Sequence, residues 1–142
     1  MNYLKKILSL LSVILLTLSS CDKAFENGEL DGMWRLERIA GNGEELFPQD
    51  IYYSFQRHIV MFGKYYDEGM PHLYMGTFAR SGSLLKMEQF KEYPGIEDIC
   101  EAHVLESFGI YSTDAITFVV VSLDDENLVM NSDGREYYFR KW

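Results

Sequence analysis

Histidine and cysteine are scarce in this 142-residue chain, and neither falls in a pattern that does chemistry. His58, His72 and His103 lie far apart, with no H-x-H, H-E-x-x-H or paired-cysteine spacing, so the sequence offers no metal centre. Glycine-rich phosphate loops are absent. Positive charge is also short, at 13 Lys and Arg against 22 Asp and Glu, a net charge of −9. Such a surface repels nucleic acid and anionic headgroups. The carboxylates are scattered, and Asp124-Asp125-Glu126 lacks the ligand spacing of a calcium loop. Cys100 and His103 share a spacing of three but have no evident orienting group or oxyanion donors. The composition therefore points away from an enzyme, and no cofactor is expected.

Long apolar runs are lacking as well, with one exception near the start. Lys5 and Lys6 precede an apolar run from Ile7 to Leu18, a signal-peptide pattern about 12 residues long. A membrane-spanning helix needs about 20 residues, and the charged Asp22-Lys23 follows at once. Leu18-Ser19-Ser20-Cys21 resembles the lipobox of bacterial lipoproteins. That resemblance implies cleavage before Cys21, acylation of its side chain and amine, and attachment to a membrane of the cell envelope, the outer membrane favoured over the inner. More than one acyl chain gives a stable anchor. Residues 1–20 are then removed, residues 21–30 form a polar tether, and residues 31–142 form one domain. Loss of Lys5 and Lys6 leaves 11 basic against 22 acidic residues, a net −11. With Cys21 acylated, Cys100 has no intrachain partner and is expected to be buried.

The domain reads as mainly β. Apolar and charged residues alternate from Met33 to Ala40, with Trp34 and Leu36 on one face and Arg35 and Glu37 on the other. Gly41-Asn42-Gly43 breaks that strand. Further strands are predicted over 51–56, 59–65, 73–80, 83–89, 115–123, 128–132 and 135–141. Ser81-Gly82 and Asp133-Gly134 mark hairpins, and Arg57-His58 is either a tight turn or a bulge. Between Ile96 and Phe108 the apolar spacing changes to three and four, which predicts a short helix with Gly109 as its stop. Ala115 to Leu123 (AITFVVVSL) is apolar on both faces, so it is expected to lie centrally or beneath that helix.

Gly32-Met33-Trp34 resembles the G-x-W opening of lipocalins, and Phe139-Arg140-Lys141-Trp142 is similar to their last strand. Together with the preceding tether, these residues make the chain resemble the small lipocalin-like domains of bacterial lipoproteins. The resemblance implies an eight-stranded antiparallel, calycin-type barrel, with the one short helix placed before the last three strands. It also implies that Arg140 packs over Trp34 as a cation–π contact. Aromatics make up 15 % of the chain. Inward-facing Trp34, Tyr53, Phe55, Phe78, Phe118 and Tyr137 are the candidate lining of a site for a small hydrophobic or amphipathic ligand. The alternative is a filled core and an interaction module that binds a protein or glycan at the envelope through its outer surface. Small barrels can take either form.

Overall fold

A computed structural model describes residues 26–65, 69–95, 97–99 and 101–142, together with Met1 and Tyr3. Cys21 and Cys100 lie outside the described residues. The strands are β1 (Gly32–Gly41), β2 (Glu44–Leu46), β3 (Ile51–Gln56), β4 (Ile59–Lys64), β5 (His72–Ser81), β6 (Leu84–Tyr93), β7 (Ala115–Leu123), β8 (Asn127–Ser132) and β9 (Arg135–Lys141). A 3-10 turn, Gly28–Leu30, precedes β1, and one helical turn, α1 (His103–Glu106), precedes β7.

Strands β3 to β9 pair antiparallel in chain order, β1 pairs with β3, and β9 returns to β1 from Trp34↔Lys141 to Gly41↔Arg135. The pairings run as a ring of eight strands, as predicted. The ninth strand, β2, was not predicted. It folds back on β1 at Ile39↔Leu46 through the turn residues Asn42 and Gly43, which have φ of 54° and 78°. Asp133 and Gly134, between β8 and β9, take the same left-handed pair of conformations that two-residue hairpins require. Arg57-His58 proves to be a two-residue turn, because Gln56 pairs directly with Ile59.

Period-two alternation sets the core. Trp34, Leu36, Tyr53, Phe55, Val60, Phe62, Leu85, Met87, Phe118, Met130, Tyr137 and Phe139 all point inward and are buried. Leu30, assigned to the tether on polarity, is fully buried in the same cluster, so the packed domain begins before Asp31. β7 also departs from expectation. Phe118 is inward, but Val119 and Val121 are 42 % and 59 % exposed, because no element lies over this outward face among the described residues.

The helix contracts as well. Ile99 N–H bonds the Phe90 carbonyl and Asp98 bridges Lys91, so the first part of the 96–108 segment follows β6 in an extended form. Among the described residues of that segment, only His103–Glu106 turns helically. Gly109 then reverses the chain at φ 79°, where an added Cβ would lie 2.7 Å from both Ile39 and Tyr137.

Trp34 is covered by Lys141, not Arg140. The Lys141 ammonium stands 4.2 Å from the indole centroid and donates to the carbonyls of Glu29 and Asp31. Strand alternation explains the correction: Lys141 is the register partner of Trp34, whereas Arg140 falls on the opposite, exposed face. The register also explains the glycine of G-x-W. Gly32 has φ 117°, and a Cβ there would come within 2.9 Å of the Lys141 nitrogen. Burial lowers the Lys141 pKa, opposed by Asp31 and Glu29. Lys141→Ala should therefore destabilise the fold by about 1–2 kcal/mol in urea denaturation. Arg140→Ala should cost less than about 0.5 kcal/mol, as at an ordinary surface site; equal losses would contradict the assignment.

Candidate functional site

The two ends of the barrel are closed by short segments, each held by the polar atom of an aromatic ring. At the end where the chain enters, Trp34 Nε1–H donates to the Leu30 carbonyl at 2.8 Å and draws the 3-10 turn across the opening. At the other end, Leu105, Phe108 and Ile110 are buried. Tyr53 donates its hydroxyl to the Phe108 carbonyl, and Tyr137 donates to the Gly109 carbonyl at 2.7 Å. The carbonyls freed where the single helical turn ends thus find donors inside the barrel, as buried backbone groups require.

The six candidate lining residues are all inward, but they face one another and the rest of the core. Tyr53 meets Phe62 and Phe139 edge-on at 4.7 and 4.8 Å, Phe55 meets Phe78 at 5.3 Å, and Phe118 meets Tyr137 at 5.1 Å. Trp34, Tyr53 and Phe118 are completely buried. Phe62 extends the network to Phe90 and Phe108, and Phe108 reaches Tyr74. These are packing contacts of a filled interior. Tyr137 also borders an outward cleft, of about 240 Å³, with Tyr111, Thr117, Ser132 and Arg135.

The larger opening lies beside the closing segment. A cleft of about 590 Å³ is formed by Tyr74 of β5, Glu92 of β6, Gly95, and Glu97, Asp98, Ile99, Glu101 and Val104 of the 97–104 region. Tyr74, Ile99 and Val104 supply apolar surface, and Tyr74 and Ile99 also pack on the core. Four carboxylates form the remainder: Asp98 lies 3.8 Å from Lys91, and Glu101 lies 3.4 Å from His103. The volume is in the range that small ligands occupy. This site was not anticipated. Ile99 belongs to the apolar spacing read from the sequence, but its meeting with Tyr74 depends on the extended path of residues 97–99 along β6.

His58 sits in the β3–β4 turn, His72 opens β5 and His103 pairs with Glu101. Among the described residues no three His, Cys, Asp or Glu side chains converge on a metal-sized site.

A closed ring of antiparallel strands with a short helix before its last three strands defines a lipocalin-like barrel. The sequence model of the family described as "Lipocalin-like domain" matches residues 15–142, and the chain belongs to that family. Its members are in general binding proteins rather than enzymes. No curated protein matches the chain. Two solved structures share the fold. A lipocalin-like protein from Bacteroides uniformis superposes with a TM-score of 0.66 at 22 % identity, covering 81 % of this chain and all of its own. An uncharacterized protein from Bacteroides eggerthii gives 0.66 at 21 % identity, covering 80 % of this chain and 99 % of its own.

The two tyrosine latches give a pH-dependent prediction. Burial raises the Tyr53 hydroxyl well above its usual pKa and pushes Tyr137 up to about 12. An unfolded tyrosine ionises near 10, so the Tyr137 contribution is complete below about pH 10 and is lost as pH rises toward 12, and the Tyr53 contribution is lost in the same direction. Tyr137→Phe should lower stability at neutral pH by about 1–3 kcal/mol, because the Gly109 carbonyl is left buried without its donor. It should also flatten the fall in stability between about pH 10 and 12. An unchanged alkaline slope in urea titrations would remove Tyr137 from the latch.

Proposed function

We propose that this protein is a lipid-anchored, non-enzymatic binding protein of the cell envelope, held by acylated Cys21, the outer membrane favoured. It takes a small amphipathic ligand in the cleft between β5, β6 and the 97–104 segment, rather than in the centre of the barrel. The observation that carries this reading is the cleft itself, about 590 Å³ with Tyr74, Ile99 and Val104 as its apolar wall. The lipocalin-like fold supports small-ligand binding, and the packed interior moves the site to this end of the barrel. Glu92, Glu97, Asp98 and Glu101 select against anionic headgroups and favour neutral or cationic ones. Lipocalin-like folds can hold one small ligand or be filled by side chains, and here the filled interior also favours the second reading, an interaction module acting through its outer surface on a protein or glycan.

Nuclear magnetic resonance titration of residues 22–142 with dodecyltrimethylammonium separates the two. Cleft binding predicts saturable shifts at Tyr74, Ile99 and Val104, and Val104→Asp should weaken affinity about tenfold or more, having placed a charge on the apolar wall. Dodecyl sulfate should bind more weakly. Absence of saturable shifts in the cleft would favour the interaction module.

A further inference from the structure

The barrel end from which the chain emerges carries apolar side chains that the fold leaves uncovered. Leu84 and Val119 are register partners on β6 and β7, 50 % and 42 % exposed, and Val121 follows at 59 %. Trp142, at 73 %, extends beyond β9 and meets Tyr52 edge-on at 5.2 Å. Hydrogen bonds place all of them at one end. Asn27 bonds the Arg57 carbonyl in the β3–β4 turn, and Phe78 bonds His58 in the same turn. The β5–β6 hairpin runs on from Phe78 to Ser81 and Leu84, and Val120 bonds Ser83. Lys141 joins this end to the β7–β8 turn through Glu126 and to the entering segment through Glu29. The cleft of Tyr74, Ile99 and Val104 lies at the opposite end.

The length of chain before the barrel names the occupant. Cys21 precedes Glu26 by five residues, which span at most about 18 Å when fully extended. An acyl anchor at Cys21 therefore holds this end of the barrel close to the lipid surface whatever path the tether takes. Confinement of that kind makes weak contacts effective. Tryptophan favours the membrane interface, and Leu84, Val119 and Val121 are exposed apolar side chains with no covering element among the described residues. Charges at this end are mixed: Glu26, Glu29, Asp124, Asp125 and Glu126 stand against Arg57, Arg80, Lys86 and Arg140. No polybasic cluster of the kind that selects anionic lipid is present in this set.

We propose that this end rests on a zwitterionic bilayer as a second, non-covalent contact, with Leu84, Val119, Val121 and Trp142 seated in the interface. The proposal rests on the acyl-anchor reading of Cys21. Its consequence is orientation: the ligand cleft faces away from the membrane, toward the aqueous compartment.

The test uses the full acylated chain in phosphatidylcholine vesicles with dibrominated acyl chains. Trp34 is completely buried and serves as the internal reference, so quenching reports Trp142. Docking predicts loss of about half of the tryptophan emission, abolished in Trp142→Phe. The pair Leu84→Asp and Val121→Asp should reduce the quenching several-fold while the protein still floats with the vesicles. Both substitutions are at exposed positions, so folding is retained, and circular dichroism checks it. Flotation without quenching, or quenching untouched by the paired substitutions, overturns the docking alone. Absence of acyl mass on Cys21 and loss of flotation overturn the anchor and the docking together.

Discussion

A ring of eight strands encloses a space that has to be filled by side chains or left to a ligand, and this chain fills it with aromatic rings. The rest of the structure depends on that choice. Trp34, Tyr53 and Tyr137 contribute ring area to the core, and their polar atoms reach outward from it to hold the segments that close the two ends. Closure and filling are one device. A phenylalanine at any of these positions would keep most of the apolar contact and leave a buried carbonyl without its donor.

Filling the interior puts the proposed ligand site outside the barrel. The 97–110 region shares its side chains between two tasks: Leu105, Phe108 and Ile110 face the barrel, while Ile99 and Val104 face the cleft outside it. A single helical turn suits this division, because residues before and after it run in different directions. Acidic residues in the cleft and a mixed-charge surface at the other end give the barrel two distinct poles. The acyl anchor, if it acts as proposed, fixes which pole meets the lipid.

Much of the fold was legible because period-two alternation and turn chemistry are local. Each of the eight barrel strands carries its own signal, and Trp34 through Phe139 follow the inward face that the pattern assigns. Gly41-Asn42-Gly43 reads from sequence only as a break, because Glu44–Leu46 is too short and too polar for periodicity to mark it as a strand. The helix was overextended because Ile99 contributes an apolar position without being helical, and its pairing with Phe90 is a tertiary fact. Arg140 was misplaced by one residue: a family resemblance supplies a cation near the end of the last strand, and only the register with β1 decides which one reaches Trp34. The cleft was illegible because Tyr74 and Val104 are thirty residues apart in sequence and each is unremarkable alone.

The outward face of β7 follows from the same logic in reverse. Its run of valines satisfies both burial and β propensity in sequence, yet strand geometry sends alternate residues outward. What lies over Val119 and Val121 is then a question about surroundings, and the acyl anchor proposed at Cys21, five residues before Glu26, would bring a lipid surface within reach.

The most direct measurement is xenon-pressurised diffraction from crystals of residues 22–142, since xenon enters empty apolar cavities. A filled interior predicts no xenon peak among Trp34, Phe55, Phe78, Phe118 and Tyr137. Xenon bound between those rings would show an open chamber at the centre of the barrel and return the ligand site to the interior.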